Sequence, residues 1–426
     1  MRRSDLFLPA SREPRASAAD AAASLERAGL IRQAGSGLHA FAPAGERVKR
    51  KLIRRLRTAM AAVGGQAVSL PALQDARRWR ESGRWRDFED EMFTLENRDG
   101  RAMCLAPSHE EAVVDLLSGA VRSYDDLPLL VYQVGEKYRD DHARNGLVRC
   151  KAFTMKDAYS VHADAESLAL TYREVRAAYA RAFADLGVEF AVVGADDGVM
   201  GGSTSEEFVA PVADGSDRLR YCTADGCRFG VTDERADFED FAAGGDCPDC
   251  GGDLAESDGI EIAHVFQLDT RYSEPTGFTV DAADGTEFHP DMGSYGVGVT
   301  RLLQVLVQQD LEGGATDDGL RWPVTDWSTV APYRAGVVPV RYEGELRRAA
   351  EDLYDACEDV LLFDDRSQSV GERFAESDLL GLPAKVVLGD HYLETGEAEL
   401  ETRDGETTYL DPGEVPGALE RYAAGT

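Results

Sequence analysis

Between Tyr132 and His162 the chain carries two runs of alternating apolar and polar residues on either side of a short polar loop. Period-two alternation is the pattern of a half-buried strand, and two such runs across a short loop fold back as an antiparallel hairpin. That pairing would bring Arg139, Asp141, Arg149 and Phe153 onto one hairpin. These residue types offer a guanidinium for a phosphate or carboxylate, an acid for an amine, and an aromatic face for a base. The plainer reading, an exposed hairpin of mixed charge, is equally open on this segment alone.

At 426 residues the chain has room for two or three domains, each with its own core. Its net charge is −32, from 78 Asp and Glu against 46 Lys and Arg, and lysine occurs only at positions 49, 51, 137, 151, 156 and 385. A hydrophobic fraction of 43% excludes a disordered chain despite that charge. The acidity also excludes a general nucleic-acid binder, since a polyanion would be repelled at low salt. Any RNA contact must use local basic patches, of which 47–57 and 77–86 are the best candidates. An acidic, lysine-poor surface fits a folded protein kept hydrated in a salt-rich cytoplasm, where the Debye length is roughly 3 Å at 1 M. No apolar run reaches the roughly 20 residues that cross a bilayer. The stretch after Met1-Arg2-Arg3 is too short for the apolar part of an export signal. A cytoplasmic protein without membrane contact is expected.

Cys104, Cys150 and Cys357 are isolated and read as small buried hydrophobes. Cys222, Cys227, Cys247 and Cys250 form two short pairs across a polar spacer, the pattern of a structural zinc site with four thiolates. A redox dithiol or a decayed site are the alternatives, and no thioredoxin-like βαβ pattern surrounds Cys247 and Cys250.

Periodicity and turn signals predict a helix over 17–28 capped by Ser17, a hairpin over 30–41, a helix over 47–62 and a strand over 66–70. A Trp- and Arg-rich loop over 75–93 follows, then helices over 110–118 and 165–186, and a linker over 311–333. From 335 to 388 strands and helices alternate, which argues an α/β unit with parallel strands.

The hairpin resembles motif 2 of the class II aminoacyl-tRNA synthetases. Leu105-Ala106-Pro107-Ser108-His109-Glu110-Glu111 is similar to the P-T-H-E-E segment of prolyl-tRNA synthetases of bacterial type, and Gly201 to Phe208 to their G-G-S-x-S-H-E-F. Gly259 to Leu268 with Arg271-Tyr272-Ser273 resembles a further block of that family, and Met292 to Leu303 resembles motif 3. The basic helix and the strand ending at Pro71 resemble motif 1, the dimer-forming element, and 75–93 the W-x-x-S-G-R-W loop. Asp364-Asp365-Arg366, Gly371 to Phe374 and Gly381-Leu382-Pro383 resemble the anticodon-binding domain of the class.

The resemblance implies an α+β fold: a class II antiparallel sheet flanked by helices, a small zinc-ribbon-like insert, and a C-terminal α/β anticodon-binding domain. The corresponding division is 1–213 with 259–331, then 214–258, then 332–426. It implies ATP-dependent activation of proline and its transfer to tRNA by a homodimer. Arg139 and Arg301 would be catalytic. Arg139, Asp141, Arg149, Phe153, Gln267 and Arg301 would bind ATP with Mg²⁺. Ser108, Glu110, His162, Ser203, Ser205, Glu206, His264 and Ser294 would bind the amino acid, with Glu110 on its ammonium. The slot where bacterial members often carry an editing insertion holds only the short cysteine module.

The sequence departs from the family at Lys151-Ala152-Phe153 for Arg-Glu-Phe, Glu206 for His, Ser108 for Thr and Ser294 for Cys, and its motif 2 loop is a residue shorter. Two other functions stay open: a paralogue serving another amino acid or acceptor, and a non-catalytic tRNA-binding regulator. The charge makes its own prediction. Circular dichroism over a KCl titration should show stability rising toward molar salt. Full folding and maximal activity near roughly 0.1 M, where the Debye length is about 10 Å, would contradict it.

Overall fold

The computed structural model describes all residues except 12–19, 89, 196–199, 313–318, 324–329, 365–367, 404 and 424–426. One nine-stranded sheet organises the first three quarters of the chain. Its strands are Gln66–Ala67 (β1), Leu129–Tyr138 (β2), Ala152–His162 (β3), Ala191–Gly194 (β4), Thr204–Pro211 (β5), Asp217–Cys222 (β6), Phe229–Thr232 (β7), Leu254–Asp269 (β8) and Asp291–Gly298 (β9). Their order is β5-β4-β7-β6-β8-β9-β3-β2-β1, with β5 also paired to β8. All pairs are antiparallel except β7 with β4 and β1 with β2. The hairpin forms as its alternation requires, in register from Leu129 opposite Val161 to Tyr138 opposite Ala152.

Residues directly opposite one another in a sheet share a face, and their sequence neighbours take the other. Asp157, Gly296, His264 and Glu207 are successive partners across β3, β9, β8 and β5, and they form one front row. Ala158, Tyr295, Val265 and Glu206 form the adjacent back row. Behind the sheet lie the helices Pro43–Ala62 (α1), Ala165–Asp185 (α2) and Val299–Glu312 (α3). α1 buries Val48, Leu52, Leu56 and Met60, the stripe of an amphipathic helix, against Tyr179, Phe183, Leu302 and Leu306. Each such side chain contributes about 1.5–3 kcal/mol of transfer free energy. Pro43 begins α1, four residues before the expected start, because the missing N–H costs nothing at a first helical position. At Gly45 a side chain would sit 2.1 Å from the Leu30 carbonyl, so this helix can lie directly on the first hairpin.

Several sequence expectations are corrected. The first helix is Ala21–Arg27, capped by the Asp20 carboxylate at 2.9 Å from the Ala23 nitrogen, and Ser17 lies outside the described residues. The strand expected over 66–70 pairs only at Gln66 and Ala67. The supposed loop over 75–93 contains two short helices, Ala76–Glu81 and Arg84–Asp87. Of the basic run over 77–86, Arg84 is fully buried and Arg78 pairs with Asp115 and Glu81, while Arg77, Arg80 and Arg86 are exposed. β8 runs unbroken through 259, and the module's β6 and β7 extend the main sheet.

The C-terminal unit has three parallel strands, Val360–Leu362, Ala335–Pro339 and Ala384–Leu388, as the alternation predicts. Ala398–Thr402 and Thr407–Leu410 extend it antiparallel, so its sheet is mixed. Of the acidic run noted at 364–366, residues 365 and 366 lie outside the described residues. The basic helix is partly spent on this unit: Arg47 Nε donates to the Pro332 carbonyl at 2.8 Å, and Lys51 Nζ meets Asp359 Oδ2 at 2.9 Å. The linker is not a loose tether where described, since Trp322 is buried and its Nε1 donates to the Leu380 carbonyl at 2.9 Å. Among the described residues no helix is long and apolar enough to cross a membrane.

Lys156 sits on the back face, wholly buried, with its Nζ on the Tyr179 hydroxyl and 3.2 Å from the Tyr295 carbonyl. Burial pulls its pKa down to about 7. The unfolded chain keeps the ordinary value of about 10.4, so between the two the unfolded state binds the extra proton and wild-type stability rises with pH. Lys156→Met removes the buried cation and leaves the Tyr179 hydroxyl donating to the Tyr295 carbonyl at 2.8 Å. Denaturant melts should show a gain on the order of a few kcal/mol below pH 7, shrinking toward pH 10. A variant less stable than wild type at pH 6 would contradict this.

Candidate active site

The front of the sheet opens into a cavity of about 360 Å³. Ser108, Glu110, Arg139, Asp141, Arg149, Phe153, His264, Ser294 and Arg301 all line it, although they come from six separate segments. The hairpin supplies one wall, β8 and β9 the floor, and the start of α3 the far end.

Two guanidiniums define the cationic end. Arg139 lies over the Phe153 ring, 5.5 Å from its centroid, and donates to the Pro107 carbonyl at 3.4 Å. Its Nε is buried without a hydrogen-bond partner, and among the described residues no carboxylate pairs with it. Burial disfavours its charge, Glu261 favours it and Arg301 again disfavours it, with a net fall in pKa. An arginine does not shed its proton in a protein, so this cation is satisfied by an incoming anion. Arg301 is anchored by its Nε to the Val148 carbonyl at 3.1 Å and by its Nη1 to Glu261 Oε2 at 2.7 Å. Arg149 Nη1 reaches Asp141 Oδ2 at 2.7 Å, so those two charges offset each other at the rim.

Beside Arg301 lies a cluster that sequence reasoning did not assign. His264 Nδ1 is 3.2 Å from Glu207 Oε1 and 3.7 Å from Glu261 Oε1. Burial pushes Glu261 up, but Arg301 and His264 outweigh it and hold the carboxylate at about 2. Burial, with the charge of Glu261, pushes Glu207 to about 9. One ligand atom from each of the three lies within 4.8 Å of the others, a spacing that suits a divalent cation.

The acidic end is Glu110. It accepts from the Ser294 hydroxyl at 2.9 Å and from Arg84 Nη1 at 3.1 Å. Burial would raise its pKa, but Arg84 and the hydroxyls of Ser108 and Ser294 bring it below the ordinary carboxylate range. Between the two ends Asp157 accepts from Lys137 Nζ at 2.7 Å, Gln133 Nε2 at 2.9 Å and the Tyr159 hydroxyl at 2.8 Å.

Five expected substrate or nucleotide contacts are not brought to the cavity. Glu206 points behind the sheet, to the Tyr172 hydroxyl and Arg176 Nε, both at 2.8 Å. His162 and Gln267 share the parity of back-row residues, and His162 Nδ1 is 2.9 Å from the Ser167 hydroxyl. Ser203 donates to Asp269 and Ser205 to the Ala195 carbonyl, both at 3.1 Å. Counting strand parity from Phe153 would have found Asp157, whereas choosing Glu207 over its neighbour needs the pairing of β5 with β8. Of the departures from the family pattern, only Ser108 and Ser294 face the cavity: Lys151 turns to Asp140, and Ala152 lies off the wall.

The four cysteines of the module converge. Cys222 and Cys250 Sγ atoms are 3.4 Å apart, those of Cys227 and Cys247 3.8 Å, and all four lie within 4.8 Å of one another. A tetrahedron with Zn–S bonds of about 2.3 Å has edges of about 3.8 Å, so the donor set fits zinc. The Ala224 and Gly252 N–H groups point at the Cys222 and Cys250 sulfurs, each at 3.4 Å. A side chain at Gly252 would stand 3.3 Å from the Cys250 sulfur and 2.8 Å from Ala224 Cβ.

Comparison with known proteins gives this geometry a family. The model of the tRNA synthetase class II core domain (G, H, P, S and T) matches residues 93–310, and that of an anticodon binding domain matches 334–421. The chain is 35% identical to the proline--tRNA ligase of Gluconobacter oxydans (strain 621H), with 100% of each covered. It is 37% identical to that of Anaplasma marginale (strain St. Maries), with 90% of each covered. The crystal structure of prolyl-tRNA synthetase from Cryptosporidium parvum complexed with halofuginone and AMPPNP shares the fold. Its TM-score is 0.74 at 14% identity, over 95% of this chain and 77% of that one. With both domain models matched and full-length identity to these ligases, the chain belongs to the prolyl-tRNA synthetases, among the class II aminoacyl-tRNA synthetases.

Proposed function

We propose that the cavity activates proline with ATP and that the enzyme transfers the prolyl group to tRNA. A proline carboxylate oxygen attacks the α-phosphorus, pyrophosphate leaves, and a terminal tRNA hydroxyl then displaces AMP from the adenylate. Arg139 spans the substrate carboxylate and the α-phosphate, and Arg301 faces the γ-phosphate and one side of adenine. Phe153 stacks on the other side, and Glu110 takes the substrate ammonium. No side chain need act as nucleophile or general base, because positioning and charge stabilisation carry such a displacement. The carboxylates of Glu207 and Glu261 would hold Mg²⁺, which neutralises phosphate charge when bound.

The observation that carries this reading is Arg139, a guanidinium lodged against an aromatic face without a carboxylate partner among the described residues. Proline is favoured over another amino acid because Lys151, Ala152 and Glu206 leave the cavity wall unaltered. Arg139→Ala should lower proline-dependent ATP–pyrophosphate exchange by at least about 100-fold while the circular dichroism stays native. Exchange within a few-fold of wild type would remove Arg139 from the mechanism.

The finer assignments belong to the same proposal. Residues 1–213 with 259–331 act as the catalytic unit, and 332–426 bind the anticodon. The protein works in the cytoplasm as a homodimer, under high salt. Cys222, Cys227, Cys247 and Cys250 hold one structural Zn²⁺ with no open position for chemistry. Elemental analysis of protein purified without chelator should find about one zinc per chain, and its removal should lower thermal stability. Zinc-free protein of full stability would make the module a relic.

A further inference from the structure

Arg84 does not line the cavity, yet it touches four residues that do: Ser108, Glu110, Phe88 and Met200. It is 0% exposed, and Glu110 and Glu111 are each 1% exposed. Arg84 Nη1 meets Glu110 Oε2 at 3.1 Å and the two Glu111 oxygens at 3.2 and 3.0 Å, while Nη2 donates to the Ser108 hydroxyl at 2.8 Å. Three rings enclose the guanidinium, with centroids at 4.9 Å for Trp79, 4.7 Å for Phe88 and 5.4 Å for Tyr272. Ser82 donates to Glu111 Oε1 at 2.7 Å and fixes the second carboxylate from behind. A planar fork is needed here, because a point charge could not hold two carboxylates and a hydroxyl in those directions.

The two carboxylates are not equivalent. Glu110 falls below the ordinary range, Arg84 and the serine hydroxyls outweighing burial. Burial raises Glu111, and Arg84 only partly offsets it. Negative charge is thereby concentrated on the member that faces the cavity, where an ammonium would arrive.

We propose that Arg84 is the positioning residue for amino-acid recognition, fixing the Glu110 carboxylate and the Ser108 hydroxyl without touching substrate. The assignment rests on Glu110 receiving the substrate ammonium. Its consequence is a split between the two substrates: losing the fork should weaken proline binding and spare ATP, which sits at the other end of the cavity.

The test is ATP–pyrophosphate exchange by Arg84→Lys, with KM measured separately for proline and ATP over a range of pH. The KM for proline should rise at least about tenfold, and that for ATP should stay within about twofold. The rise in proline KM on acidification should also begin at a higher pH than in wild type. Without its guanidinium Glu110 is protonated more easily, and a protonated carboxyl no longer pairs with an ammonium. If Arg84→Lys does not fold, the double variant Arg84→Met with Glu111→Leu removes the guanidinium together with the acid behind it, leaves Glu110 held by the Ser294 hydroxyl, and carries the same comparison. A proline KM that is unchanged, or that moves in step with the ATP KM, would overturn the assignment. Wild-type protein that exchanges with no amino acid would instead overturn the parent reading, and this one with it.

Discussion

The two-sidedness of a β-strand is the constraint on which this protein depends. Neighbouring residues must go to opposite faces, so each strand of the main sheet carries two messages in alternate positions. The back message is apolar and recruits the long helices, through Ala158, Val265 and Tyr295. The front message is polar and chemical, in the row Asp157, Gly296, His264 and Glu207. Glycine at 296 keeps that row shallow where the cavity needs room. A slip of one residue in the pairing of β5 with β8 would put Glu206 into the site and Glu207 into the helices.

Charge is distributed by a second rule. The surface is overwhelmingly acidic, but the cations that matter are withdrawn from it: Arg84, Lys137 and Lys156 are fully buried, and Arg139 and Arg301 face the cavity. A cation in such a place has a carboxylate, awaits an anion or, like Lys156, holds its proton less tightly. Lys137 has Asp157, Arg84 has Glu110 and Glu111, and Arg301 has Glu261. Arg139 has only a carbonyl and an aromatic ring, so the site is electrically unfinished where phosphate would enter. This interior is far less sensitive to salt than the exterior, because screening acts on exposed charges.

Much of this was legible in the sequence, for identifiable reasons. The hairpin, the helices expected over 47–62 and 165–186 and the parallel part of the C-terminal unit follow from periodicity. The ends of the cavity follow from Arg139, Phe153, Glu110 and Arg301 in ordered motifs. What failed did so where a motif names a neighbourhood but not a face. His162, Gln267 and Glu206 sit in the right strands with the wrong parity. The pairing of Arg84 with Glu110 could not be read, because it joins a short helix to a distant one through tertiary packing. The two short helices over 76–87 were hidden for a related reason: Trp79 in the first and Phe88 just after the second pack edge to face with ring centroids 6.2 Å apart, in a cluster too small to show a period.

The central claim is that the cationic and acidic ends of one cavity together select proline and ATP. Amino-acid-dependent ATP–pyrophosphate exchange by wild-type protein in molar KCl, screened across all the amino acids, tests it most directly. The account predicts exchange that depends on proline above every other amino acid. Exchange driven by a different amino acid, or none with any of them in natively folded protein, would contradict it.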